Sequence, residues 1–315
     1  MQRGRGGELL AGRVLLVVNP ISGAGAAPKW VGPLSERLEG CGADLEVCRT
    51  TGPGDAREAA EKRAAEMDVI LVMGGDGTFR EVLNGLELGQ CALGVLPAGA
   101  GNVLAGELGL SGKPLVDMER LMAGGPVDFD IGVCNGERFA AVFGAGIGAE
   151  VVRRVEARRR GNISQLNYLP QVLRVVLDTP QWKLEVSVDD SVIVRDATTV
   201  AAGNTANYGG PIQFTPRANP CDGALDVIGM RLTSILGLVE PTCAMLLRKT
   251  DLLACSHYAR GRRVTVDSED DVPYQLDGDF VGWLPARVRC VPGAVSLLVP
   301  VGFALPRGRA EQGVL

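Results

Sequence analysis

The residues best placed to do chemistry are Gly74-Gly75-Asp76-Gly77-Thr78, a glycine-rich turn with one carboxylate that follows the aliphatic run Val69-Ile70-Leu71-Val72-Met73. After the turn, Val82, Leu83 and Leu86 recur at helical spacing, so a helix is expected with Thr78 as its N-cap. Unpaired amides and the positive dipole end make such a turn a phosphate site, and glycine lets the backbone come close to an anion. Asp76 is the anomaly. A carboxylate among groups arranged for an anion is useful where it holds a metal, orients a cation carried by a phosphate, or accepts a proton. The ordinary alternative is a βα turn whose aspartate caps the helix. Two further loops have similar composition, Asn19-Pro-Ile-Ser22-Gly-Ala-Gly-Ala-Ala-Pro28 and Ala98-Gly99-Ala-Gly-Asn102. The first lacks the Gly-Lys-Ser/Thr of a P-loop and the third glycine of a dinucleotide fingerprint. A second acidic feature, Asp277-Gly278-Asp279, reads either as a hairpin turn or as a carboxylate facing the phosphate loops across a cleft, taking a proton from a substrate hydroxyl.

The elements that must hold these residues alternate in the first part of the chain. Strand-like runs at 13–18, 43–48, 69–73 and 92–97 are separated by helical stretches, one carrying Trp30, Leu34 and Leu38 and one at 55–66 that Asp55 is expected to cap. This pattern predicts an α/β domain, a parallel sheet with helices on both faces, whose ligands collect at the carboxyl ends of the strands. After about Val127 the grammar changes to short strands, at 127–133, 139–143, 183–188, 191–202, 224–231, 263–266, 274–277, 287–291 and 295–299. Their spacing predicts a mainly antiparallel, β-sandwich-like second domain, with helical insertions at 149–178 and 234–247. The expected domains are 11–126 and 127–299, and the tail at 300–315 is expected to pack back on the first.

Composition narrows the function classes. A net charge of −5 over 315 residues argues against nucleic acid as the main partner. Eight scattered cysteines without a Cys-x-x-Cys pair, and a single histidine, His257, exclude a zinc framework and fit a reduced, cytoplasmic chain. His257 is expected to be structural, because no Gly-x-Ser-x-Gly elbow accompanies it. Residues 1–7 read as a short flexible leader to the first strand rather than a signal peptide. No apolar run approaches the roughly 20 residues that span a bilayer, so membrane contact is expected to be peripheral. Arg153, Arg154, Arg158, Arg159 and Arg160 form a basic block, read as a solvated helix face or as a patch for anionic headgroups. Tyr168, Leu169, Trp182 and Leu184 are candidates for an acyl pocket or for ordinary core. Nothing in the sequence sets an oligomeric state.

Taken in order, Asn19-Pro-x-Ser22-Gly23, Thr50 with Gly54-Asp55-Ala56, Gly74-Gly-Asp-Gly-Thr78 with Glu81-Val-x-Asn84-Gly85, Pro97-x-Gly99-x-Gly101-Asn102, Ala218-x-x-x-Asp222-Gly223 and Leu276-Asp277-Gly278-Asp279 resemble the diacylglycerol kinase catalytic-domain family. That family includes bacterial diacylglycerol kinases, related lipid kinases and sphingosine kinases. The resemblance covers nearly the whole chain. It implies a nucleotide-binding first domain and a lipid-substrate second domain, with ATP over Gly75 to Glu81, Gly77 and Thr78 included, and with Asn19, Ser22, Thr50, Gly74, Gly99 and Asn102 lining the same cleft. Asp76 would lie beside the transferred phosphate and its magnesium. A Mg2+ site would take a side-chain oxygen of Asp222 and the carbonyls of Asn219 and Ala224, hard ligands that suit the ion. Asp279 would be the general base where the family usually has glutamate, and Glu150 would align with the aspartate that binds sphingosine. Ala100 replaces a usual threonine or serine, and Val103 and Gly148 stand where many members have aspartate. The implied activity is an ATP-dependent lipid kinase acting on a membrane-lipid hydroxyl, diacylglycerol favoured over a sphingoid base. The alternatives are an NAD kinase-like enzyme, which shares the Gly-Gly-Asp-Gly-Thr turn, and a nucleotide- or lipid-binding regulator without chemistry.

Overall fold

The computed structural model describes residues 5–99, 101–157, 174–175, 182–208, 213–232, 249–250 and 256–304. They divide into two compact units, one built from the chain up to Phe129 together with Gly293–Ala304, the other from Asp130–Pro292.

The first unit runs α1 (Arg5–Leu9), β1 (Arg13–Val18), α2 (Ser22–Gly25), α3 (Pro28–Glu39), β2 (Asp44–Arg49), α4 (Asp55–Arg63), β3 (Val69–Gly74), α5 (Asp76–Gly85), β4 (Ala92–Pro97), α6 (Val103–Glu107) and α7 (Pro114–Ala123). Four strands lie parallel in the order β2-β1-β3-β4. Both faces of β1 and β3 are buried, which is why they read as unbroken aliphatic runs. Val14, Leu16, Val18, Leu71 and Met73 pack against α3 and α7. The alternate residues Leu15, Val17, Ile70 and Val72 are equally buried and face the side of α4 and α5.

Three local expectations change: α4 begins at Asp55 with Gly54, not Asp55, as its N-cap. Residues 5–7 of the expected flexible leader belong to a helix, α1, that packs against α7, and the Gly6 amide donates to the Gly124 carbonyl at 3.0 Å. Thr78 does not cap α5. The helix begins at Asp76 with Gly75 as its N-cap, so the carboxylate lies in the first turn, where the helix dipole favours negative charge.

The second unit contains most of β5 (Gly125–Cys134), then β6 (Glu137–Phe139), β7 (Val142–Gly146), α8 (Ile147–Ala157), β8 (Leu184–Val188), β9 (Ser191–Ala197), β10 (Thr199–Gly203), β11 (Leu225–Met230), β12 (Ser256–Gly261), β13 (Arg263–Asp267), β14 (Pro273–Leu276), β15 (Asp279–Trp283) and the first part of β16 (Ala286–Val299). One antiparallel sheet has the order β12-β11-β10-β7-β14-β15; in the other, β13 lies between β16 and β8, and β9 follows β8. Phe143, Val200 and Leu276 from the first sheet meet Leu184, Val264 and Val288 from the second in one apolar core. The unit is an antiparallel β-sandwich, as the spacing of short strands predicts.

Trp182 and Leu184 belong to that core. The run expected as one strand at 191–202 is two strands in different sheets. The chain changes sheet at Thr198, whose hydroxyl accepts the Leu232 amide at 2.8 Å. Conversely, 287–291 and 295–299 are one strand: Arg287, Val288 and Arg289 pair with β13, and Ser296 and Leu297 pair in parallel with β4, adding a fifth strand to the first unit's sheet. Pro292 and Gly293 fall between these two paired stretches. α7, β12 and β15 have no counterpart among the strand-like and helical runs expected from the sequence. Ala100, Arg158, Arg159, Arg160, Tyr168, Leu169, the insertion at 234–247, the insertion beyond 157 apart from 174–175, and the tail from 305 lie outside the described residues.

Candidate active site

In the first unit the parallel strands bring their carboxyl ends to one edge, and the loops there are tied to one another. The Asn19 amide donates to the Met73 carbonyl, Thr50 to Val18 and Ala98 to Gly74, each at 2.9–3.0 Å. Asn19 Nδ2 donates to Thr78 Oγ1 at 3.0 Å, which fixes the first loop to the first turn of α5. Ser22 opens α2 within that same loop.

The turns after β3 and β4 come closest. A Cβ on Gly99 would lie 2.5 Å from the Gly75 Cα, and one on Gly101 would lie 2.9 Å from Asp76 Oδ2. Gly99 is therefore required by close approach to backbone, whereas a side chain at 101 would displace the Asp76 carboxylate. The Gly99 loop is braced from within by Asn102, which accepts the Gly99 amide at 2.9 Å and donates to the Gly99 carbonyl at 2.8 Å. Asp76 Oδ1 accepts the Leu104 amide at 3.3 Å. A hard oxygen beside glycine amides is the kind of donor a phosphate-borne magnesium takes. Asn19, Ser22, Thr50, Gly74, Gly75, Asp76, Gly77, Thr78, Gly99 and Asn102 thus share one edge. Glu81 differs, because its two oxygens accept the Gly54 and Ala56 amides at 3.0 and 3.3 Å. It closes the start of α4 from the neighbouring helix.

In the second unit the two aspartates of Asp277-Gly278-Asp279 part company. Asp277 and Gly278 have φ of 52° and 89°, the left-handed pair of a tight hairpin turn. Asp277 is buried, and its carboxylate accepts the amides of Ala140, Ala141 and Val142 at 2.8, 2.8 and 2.9 Å. Asp279 opens β15, half-buried. The strand beside it is held by Glu156 of α8, whose Oε2 accepts the Phe280 amide at 3.1 Å. No spacing rule connects residues 124 apart, and only the packing of α8 on β14 and β15 reveals this contact.

Glu150, in the first turn of α8, is 4% exposed. Arg153 grips both its oxygens at 2.7 and 2.8 Å, and Arg154 adds a third bond at 2.7 Å. Burial pushes its pKa up, but the two guanidiniums outweigh burial and the net shift is downward from 4.5. Two arginines of the predicted basic block are thereby committed to a carboxylate. A depressed folded pKa contributes stability above the unfolded value that is lost as pH falls through the folded one. Glu150→Gln is therefore expected to lower stability by about 1–2 kcal/mol at neutral pH. The difference from wild type should fade below pH 4.5, as measured by urea unfolding across pH.

Asn219, Asp222 and Ala224 fall in one turn before β11, where Asp222 Oδ1 accepts the Ala224 amide at 3.3 Å. Asp222 Oδ2 lies 2.5 Å from Arg260 Nη2. As built, the turn does not fit a divalent cation, because its one carboxylate is already held by a guanidinium. Asp222 and Asp279 lie at the same end of one sheet but four strands apart in the order β11-β10-β7-β14-β15, which strand spacing makes roughly 19 Å.

Residues 13–134 match the diacylglycerol kinase catalytic domain, and residues 141–299 match the YegS C-terminal NAD kinase beta sandwich-like domain. The chain belongs to the diacylglycerol kinase family. It is a kinase. A diacylglycerol kinase of Mycobacterium tuberculosis is 31% identical over 312 residues, covering 92% of this chain and 96% of its own length. A diacylglycerol kinase of Bacillus subtilis is 26% identical over 306 residues, covering 95% and 98%. The crystal structure of a diacylglycerol kinase from Bacillus anthracis superposes with a TM-score of 0.75 over 93% of this chain and 98% of that one, at 23% identity, and shares the fold of this kinase.

Proposed function

We propose that this kinase transfers the γ-phosphate of ATP to a hydroxyl of a membrane lipid, with diacylglycerol as the acceptor. The observation that carries this reading is the contact of the Gly75 and Gly99 turns, with the Asp76 carboxylate set against Gly101. Two relatives of nearly the same length that are named diacylglycerol kinase support the acceptor.

In this reading the amides of Gly75, Gly77 and Thr78, together with the Gly99 loop, cradle the phosphates. Asn19, Ser22, Thr50, Gly74 and Asn102 line the nucleotide, and Glu81 acts by fixing the Gly54 turn. ATP supplies the phosphoryl group, and magnesium carried with it neutralises phosphate charge. Asp76 offers the oxygen that orients this cation. Asp279 accepts the proton of the lipid hydroxyl as that oxygen attacks in line.

Glu150 bears on the acceptor. Its carboxylate is neutralised by two arginines, so it is poorly suited to receive the ammonium group of a sphingoid base, which favours a neutral lipid. The acceptor resides in a bilayer, and the enzyme would meet it from the surface. Among the described residues no helix is long and apolar enough to cross a membrane.

Incubation with γ-labelled ATP and mixed micelles containing either diacylglycerol or sphingosine tests the assignment. Label is expected in phosphatidic acid and absent from the sphingoid arm. Label confined to the sphingoid product, or to neither lipid, would overturn it.

A further inference from the structure

Arg260, on β12, binds Asp222 in the manner of a metal ion. Its Nη2 lies 2.5 Å from a carboxylate oxygen of Asp222 and 3.3 Å from the main-chain oxygen of the same residue. The other carboxylate oxygen is occupied by the Ala224 amide. Directly across the β11–β12 ladder from Arg260 stands Asp226, 2% exposed. Asp226 Oδ1 accepts the Tyr258 hydroxyl at 2.8 Å, while its Oδ2 has no hydrogen-bond partner. The Arg260 guanidinium therefore holds Asp222 and stands across the ladder from a second, buried acidic residue.

We propose that Arg260 is the resident cation of the Asp222 turn, so that the second unit of this kinase folds without the divalent ion its ligand-like residues would otherwise hold. A cation held on Asp222 and facing the buried Asp226 across the ladder offsets the negative charge of both residues. A guanidinium supplies that positive charge through directed N–H donors and, unlike a metal, is covalently attached and cannot be removed by a chelator. Removing it leaves two carboxylates and main-chain carbonyls, a hard-oxygen set of the type that takes magnesium. The turn is thus expected to become a magnesium site only when Arg260 is lost.

The inference concerns folding rather than the acceptor, and its test needs neither nucleotide nor lipid, so it stands or falls separately from the proposed reaction. Thermal unfolding of the full chain is followed with magnesium chloride and, separately, with EDTA. The wild-type Tm is expected to be the same in both. Arg260→Ala is expected to melt earlier in EDTA and to recover part of the loss in magnesium, and the added change Asp222→Asn should abolish that recovery. Arg260→Lys, which keeps the charge, should remain indifferent to magnesium. Should Arg260→Ala be too unstable to purify, Asp222→Asn alone decides: its deficit against wild type should be equal with and without magnesium. A wild-type Tm that rises in magnesium and loses the rise in Asp222→Asn would overturn the proposal, as would an Arg260→Ala protein that magnesium does not restore.

Discussion

Asp279→Asn is expected to lower the rate of phosphoryl transfer by about 10²–10⁴-fold, the usual contribution of a positioned general base, while nucleotide binding and Tm stay at wild-type values. The amide is nearly isosteric with the carboxylate but cannot accept the hydroxyl proton, so the loss should fall on kcat rather than KM. The structure gives a reason to expect an intact fold. The hairpin that carries Asp279 is held by other atoms: the Asp277 carboxylate on three amides, Gln275 Oε1 accepting the Gly278 amide at 2.6 Å, and Glu156 on the Phe280 amide. Kinase turnover on diacylglycerol and calorimetric nucleotide binding provide the two readouts. Wild-type turnover in the variant would remove Asp279 from the mechanism.

Asp277→Asn, two residues away, is expected to do the reverse and destabilise the protein rather than silence it. Asparagine tolerates the left-handed backbone about as well as aspartate, so the φ of 52° at this position is not the source of the effect. The damage comes from the side chain. Two oxygens carrying a charge receive three buried amides from Ala140, Ala141 and Val142. In the variant one of those oxygens becomes a donor facing a donor. A buried amide left unpaired and the weakening of the remaining charge-assisted bonds cost about 3 kcal/mol, or roughly 6–12 °C in the Tm of a unit this size. Calorimetry should find the second unit melting early. A Tm within a degree or so of wild type would mean that these bonds contribute far less than their burial implies.

The contrast between these neighbours shows which part of the site was legible in the sequence. Asp277-Gly278-Asp279 is the sequence of a tight hairpin and of a candidate base alike, and spacing cannot say which carboxylate turns inward. That choice rests on where the amides of residues 140–142 lie, and the fold brings them there from more than 130 positions away. Glu150 is the local case: Arg153 and Arg154 follow it by three and four residues, so their pairing with its carboxylate comes from helical spacing once α8 forms. The sandwich core was easier to anticipate than its connectivity. Alternation marks strands, yet it does not mark the change of sheet at Thr198, nor the continuation of β16 through Pro292 and Gly293, because both depend on which strand lies alongside.

By itself the sequence determined that aliphatic runs buried on both faces would make a parallel sheet, that glycine turns would gather at its carboxyl edge around Asp76, and that short alternating strands would form a second, antiparallel unit. These follow from local periodicity and turn chemistry, which act over a few residues. Only the tertiary structure decided that Gly99 must be glycine because the Gly75 backbone presses against it, that Gly101 faces the Asp76 carboxylate, that Glu81 serves α4, that Asp277 is buried while Asp279 stays half-buried, and that Arg260 sits where a metal was expected. The physical reason is the same in each case: a polar group takes its role from the partner that folding places beside it, and those partners lie from about 24 to 137 residues away, beyond the reach of any local pattern.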